Sequence, residues 1–306
     1  MAMWLKSRFY KKIQKFIWLY IIAISFVMGM VVQQLIVKNT AKEPEIPKEK
    51  TINLEDLQEK VIPKTGFVFN IKWGDLGKKM VADGVIDKVK LAQALTGTDT
   101  LPPEYEKYLD GSEKEKIELN EGNARFWVDV LWGLGLANKS KVLSEGQMMQ
   151  SGDASKFAST GGYTLGVLDP MQYYSKYSYI NLSTEQETTV REIAEGVYRP
   201  CCGNSTAFPD CNHGMAALAL IELMVSQGSS KEEILKTVLA FNSYWFPQTY
   251  LDIAYHFAKN DQDFSKIPPS QLLSKTFSSS MGYQALKRQI GQVDWPALKG
   301  GGSCGA

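Results

Sequence analysis

The stretch FIWLYIIAISFVMGMVV, Phe16 to Val32, decides how the rest of the chain is read. It carries no charge, and Leu35, Ile36 and Val37 prolong it to Lys38. The apolar run thus reaches about 20 residues, the length a helix needs to cross the hydrocarbon of a bilayer. Lys6, Arg8, Lys11, Lys12 and Lys15 precede it, and the positive-inside bias holds such an N-terminus in the cytoplasm and sends the following chain across. Trp18 and Tyr20 near one end match a membrane interface and argue against a buried core helix. A cleaved signal peptide is the competing reading, but the run exceeds an h-region of about 7 to 15 residues and no small-x-small cleavage site follows it. The expectation is a single transmembrane helix over residues 16–37, a cytoplasmic basic segment before it at 1–15, and everything after it outside the cytoplasm.

Working outward, residues 38–50 (KNTAKEPEIPKEK) are charged, carry two prolines and are nearly devoid of apolar side chains, which suits an extended tether. A helical globular domain is expected over 51–298, and a flexible glycine-rich tail, GGGSCGA, closes the chain within 299–306. With 44% hydrophobic and 11% aromatic residues the chain can bury a substantial core. Lys+Arg of 34 against Asp+Glu of 33 leaves net +1 and no broad basic field to neutralise phosphates, so nucleic acid is excluded as an expected partner.

Within the domain the spacing predicts mostly α structure with long irregular loops around 97–122 and 151–182. Ile52 to Val61 and Asp75 to Leu95 show apolar residues at three and four spacings, with Gly84 ending one helix and Asp87 capping the next. Ala124 to Leu136 (ARFWVDVLWGLGL) is apolar on nearly every face and predicts the buried centre. Ser183 or Thr184 with Glu187 predicts a capping box. Further helices are expected from Gly214 to Gln227 and from Ser229 or Ser230 to Phe246, with order weakening after Asn260. FASTGGYTLG, 157–166, lacks both the Lys of a phosphate-binding loop and the flanks of a nucleophile elbow, so Ser159 is read as an ordinary loop residue.

The chemistry concentrates in RPCCGNSTAFPDCNHGMA, residues 199–216, inside a module spanning 183–258. Of 4 cysteines and 2 histidines in the chain, three and one fall here, as Cys201, Cys202, Cys211 and His213. Thiolate and imidazole are ligands for zinc, copper and iron, so residue type points to a transition metal. Adjacency of Cys201 and Cys202 is unusual for a metal site, because paired ligands normally need intervening residues to turn inward. A vicinal pair can still send one ligand each way. Cys304 on the glycine tail is an optional mobile ligand.

Two other readings use the same residues. Cys211 and His213 lie at a helix start, where the dipole favours a thiolate. Cys211 or Cys202 could then attack a substrate disulfide with Cys201 or Cys202 resolving it. Alternatively, a structural disulfide such as Cys202 to Cys211 would pin the loop and contribute about 2 to 3 kcal/mol.

The stretch from Arg199 to Phe246 couples a cysteine pair and Asn204-Ser205 to a helix with Leu220, Leu223 and Met224, then SQGSSKEEILKTVLAF. It loosely resembles the thiol oxidoreductase domain of the cytochrome c maturation system, which has Cys-x-x-Cys followed by Gln or Asn and Ser, a helix, then Gly-x-Ser-x-x-Glu-Ile. Gly228, Ser230, Glu233 and Ile234 match the second half. The cysteines are adjacent here instead of two apart, and that pattern does not include Cys211 and His213. The stretch is also similar to exported Pro-Cys-x-Cys-x-Cys proteins regarded as metal-related, and the whole chain resembles uncharacterised membrane-anchored prokaryotic proteins. These resemblances imply thiol or metal chemistry outside the cytoplasm.

Around the cluster, Glu195 and Asp210 could orient His213, with Asp210 better placed as the N-cap of the following helix. His256 is read as a packed helix histidine, Met215 as the one methionine beside the cluster, and Tyr244-Trp245-Phe246 as the core that fixes it. The leading expectation is a membrane-anchored metal-binding protein, enzymatic or not. Its expected partners are the membrane and a thiol-containing protein or a metal donor or acceptor.

Overall fold

A computed structural model describes residues 2–40 and 52–296. The chain divides into two units, Met1–Thr51 and the part from Ile52 onward. In the first, one helix runs Ala2–Thr40. Its segment Phe16–Ile36, 21 residues, is long and apolar enough to cross a membrane, and its side chains are exposed throughout. The helix continues through Lys38 to Thr40, because nothing before Pro44 interrupts its hydrogen bonding. The rest of the expected tether lies outside the described residues.

The second unit is mostly helical. At its centre is the helix Ala124–Ala137, buried at every position except Arg125, as its all-round apolar sequence predicts. Against it lies Asn212–Ser226, buried continuously from His213 to Val225. The two helices touch where Gly135 meets Met215. A Cβ at Gly135 would stand 2.4 Å from the Met215 carbonyl oxygen, so only glycine permits this approach.

Three more helices frame this pair: Thr184–Gly196, Lys231–Trp245 and Pro247–Lys259. Ser183 begins the first with a capping box completed by Gln186, not by Glu187 as expected from the sequence. The box needs the side chain at N3, and Glu187 is one residue too far along. Ser230 and Glu233 form the box that opens the second. Gly84, at φ +70°, closes Leu76–Ala82, and the Asp87 side chain caps Lys88–Thr96, as read from the sequence.

Two expectations are overturned. The region 97–122 is not one irregular loop: Pro103 occupies the first turn of a helix, Pro103–Leu109, where a missing N–H costs nothing. Ile117–Leu119 then pairs antiparallel with Phe67–Phe69, Phe67 opposite Leu119. Three-residue strands are too short for alternation to be read. Order also persists beyond Asn260, where the helix Ser280–Ile290 is clamped onto Pro247–Lys259. The clamp is the buried carboxylate of Asp252, which accepts from Tyr283 Oη and Lys287 Nζ at 2.8 Å, Trp295 Nε1 at 2.9 Å and Gln248 Nε2 at 3.0 Å. A buried carboxyl group requires such partners, and all of them but Gln248 come from residues too far away in sequence to register as a pattern.

Glu222, fully buried on the Asn212–Ser226 helix, accepts from Asn138 Nδ2 at 2.9 Å through Oε2. Its Oε1 has no hydrogen-bond partner among the described residues. Burial raises its carboxyl from the ordinary 4.5 to about 8, only partly opposed by hydrogen bonding. The folded state therefore holds a proton that the unfolded chain releases. This stabilising contribution is complete below about pH 4.5 and is lost as pH rises to about 8. Glu222→Gln is expected to remove that part of the slope in urea unfolding measured from pH 5 to 9, gaining on the order of a few kcal/mol at the alkaline end.

Candidate metal centre

Residues 199–211 form a loop wrapped around a single buried cation. An isolated bridge between Tyr198 and Ser205 and the bond from Thr206 N–H to the Val197 carbonyl, 2.8 Å, close its base. Arg199, 1% exposed, fills its interior. Nη1 donates to the Asn204 carbonyl at 3.1 Å, and Nη2 donates to the Phe208 carbonyl at 3.1 Å and to Asp210 Oδ1 at 2.6 Å. Nε donates to the Cys211 sulfur at 3.0 Å. Space for the guanidinium is left by Gly214, where a Cβ would lie 2.4 Å from Arg199 Cζ. Neighbouring FASTGG residues brace the loop, through Ser159 N–H to the Asp210 carbonyl at 3.3 Å and Phe157 edge-on to Phe208.

The expected cap of the site helix is corrected. Cys211, not Asp210, is the N-cap, its sulfur accepting from Gly214 N–H at 3.4 Å. Asp210 is held instead by Arg199 and by Asn204 Nδ2, 2.7 Å from Oδ2. The buried guanidinium requires a counter-ion, and Asp210 is the acid within reach.

The thiols of Cys201, Cys202 and Cys211 are free. Cys201 and Cys211 stand sulfur to sulfur at 3.3 Å, and they form with His213 a group whose ligand atoms all lie within 4.8 Å of one another. Cys202 belongs to a different group, with Asp210 and Cys211, again within 4.8 Å. Its sulfur points to Asp210 Oδ1 at 3.5 Å. The vicinal cysteines thus fall in two different donor groups, and Cys211 is common to both. Cys304 lies outside the described residues.

His213 is buried against Trp245, 5.7 Å between ring centroids, and Phe246, 4.5 Å. Those aromatics fix the cluster as the sequence suggested. Its Nδ1 has no hydrogen-bond partner among the described residues. Burial, opposed by Cys211 and aided by Arg199, lowers its pKa to about 4, so the ring is neutral with a lone pair available for coordination. Cys211 is held well below the usual thiol range, because Cys201 and Cys202 donate toward its sulfur and Arg199 places a cation beside it. Cys201 is pushed up by its contacts with Cys202 and Cys211 and by burial.

Glu195 is exposed at the end of its helix, and Met215 is buried in the helix crossing. His256 is half-buried beside Phe257 and Phe277. What sequence reasoning missed is Arg199. The available signal was an arginine with an acid and a thiol 11 and 12 residues later, a spacing that specifies nothing without the loop.

Comparison of the chain with protein-family models, curated proteins and solved structures finds no match. The donor set itself suits a tetrahedral ion. Zinc–sulfur bonds of about 2.3 Å place two sulfurs about 3.8 Å apart, so the 3.3 Å pair has to open by only about half an ångström. Two thiolates balance a divalent charge while Arg199 and Asp210 balance each other. Removing the cation alone should be costly. Arg199→Met is expected to lower stability by roughly 3 to 5 kcal/mol, since it strands Asp210. It should also shift alkylation of Cys211 to higher pH, measured by denaturant unfolding and by iodoacetamide rates across pH.

Proposed function

We propose that this is a membrane-anchored protein that binds a transition metal ion, zinc, copper or iron, outside the cytoplasm through Cys201, Cys211 and His213. The observation that carries the reading is the unpartnered, buried Nδ1 of a neutral histidine whose ring lies beside two free thiols. A buried polar atom without a partner costs about 1 to 3 kcal/mol, and an ion is a partner that this environment accepts. Three protein ligands leave a tetrahedral position open for water, a mobile ligand or a visiting donor.

The anchor rests on an apolar helix with no protein cover along Phe16–Ile36, a surface that lipid satisfies and water does not. The basic residues before it supply the orientation. Under this reading the protein stays with membranes through alkaline carbonate washing, and external protease digests the part after Ile52 on intact cells. Release by carbonate, or protection from protease, would defeat the anchor or its orientation respectively.

Thiol–disulfide exchange is the second reading, favoured by the 3.3 Å sulfur pair and the lowered Cys211 thiol beside Arg199. It is also the direction of the similarity to cytochrome c maturation oxidoreductases. The two separate in one preparation of full-length protein, purified in detergent without chelator, by elemental analysis with thiol counting. About one metal per chain, lost in Cys211→Ser and in His213→Ala, is expected for a Cys2His site. Absence of metal together with a reducible Cys201–Cys211 disulfide would replace metal binding by redox chemistry.

A further inference from the structure

Resting on the metal-binding reading, the geometry points to Cys202 as an exchange ligand through which the ion passes to and from a thiol-bearing carrier. Cys211 belongs to two donor sets at once, Cys201–Cys211–His213 and Cys202–Cys211–Asp210, each within 4.8 Å. The sets differ in depth. His213 is buried between aromatic rings and Cys201 packs on the core, whereas Cys202 adjoins exposed Gly203 and Asn204.

They differ in strength as well. The inner set offers two sulfurs and an imidazole nitrogen, the donors that soft and borderline ions prefer. The outer set replaces the nitrogen with Asp210, whose Oδ1 already serves Arg199 and whose Oδ2 already serves Asn204. Such a set holds an ion weakly, which suits a point of transit. In the exchange step Cys202 loses its proton to solvent and, with Asp210, takes over coordination as Cys201 and His213 let go, while Cys211 keeps its bond. An incoming carrier thiolate then displaces Asp210. A second carrier thiolate displaces Cys202 and Cys211 in turn, so the ion leaves on the carrier. Cys201, Cys202 and Cys211 take protons back from solvent as they let go, no electrons are transferred, and the cysteines end as they began.

The carrier's chemistry follows from that geometry. A thiol competes on equal terms with Cys202 and Cys211, and the part-buried Cys202, next to exposed Gly203 and Asn204, is where it gains access.

The test uses the full chain in detergent, loaded with cobalt(II), whose thiolate charge-transfer absorption reports its sulfur ligands. Cys202→Ser is expected to keep about one cobalt per chain with the charge-transfer band unchanged. It should pass the ion to a small dithiol about tenfold more slowly, a barrier higher by about 1.4 kcal/mol. Independently of any variant, alkylation of the cobalt-loaded wild type should modify Cys202 while sparing Cys201 and Cys211, read by peptide mass spectrometry. Unchanged transfer in Cys202→Ser overturns the proposal. So does loss of its cobalt, or protection of Cys202 from alkylation, either of which makes Cys202 a resident ligand. A wild type that takes up no cobalt overturns the metal-binding reading itself.

Discussion

The second unit depends on one contact, the crossing of Ala124–Ala137 and Asn212–Ser226 at Gly135. Both helices are buried on nearly every face, mostly through apolar side chains, and burying such surface yields about 25 cal/mol per Å² removed from water. Direct contact between the backbones lets the later helix sit deep enough for every residue from His213 to Val225 to be covered. Its first turn is thereby held in one place, against Trp245 and Phe246. A helix start fixed in this way can carry unpaired groups that a frayed end would surrender to water.

Arg199 organises the loop that meets this helix start. A buried guanidinium is expensive by itself, and its five donors must be met. Two backbone carbonyls, one carboxylate and one sulfur take four of them, and in doing so they set the course of residues 199–211. Gly214 is what makes the position available. Charge, loop shape and cysteine reactivity are thus one problem with one solution. The same logic recurs at Asp252, where a buried carboxyl group collects three of its four donors from Tyr283, Lys287 and Trp295.

Much of this was legible in the sequence, for identifiable reasons. Uniform apolarity marked 16–37 and 124–136, and Ser183 and Ser230 marked helix starts although the partner of Ser183 is Gln186 and not Glu187, because those signals are local and their physics is short-range. Gly228, at φ +77°, ends one helix and the Ser230–Glu233 box opens the next, punctuation that is equally local. The cluster was found from residue type alone. Its division into two sets was not, since the direction of adjacent side chains in a loop depends on what the loop wraps. Nor was the Cys211 cap, because Asp210 is the better N-cap by preference, and only the distant demand of Arg199 diverts it. The short strands and the Asp252 clamp were invisible for the same reason: their partners are remote.

The cap at Cys211 links chemistry to mechanical integrity. Sulfur accepts hydrogen bonds weakly, yet here it closes the start of a helix buried from His213 to Val225. Oxidation of that sulfur to a sulfinate, or attack by an electrophile, replaces a compact acceptor by a bulky group in a space already filled by Arg199. The injury would not stay confined to one atom: the first turn loses its acceptor, His213 moves with it, and the apolar rings behind become accessible. The most reactive sulfur of the cluster is thus also a fastening of the helix that carries it.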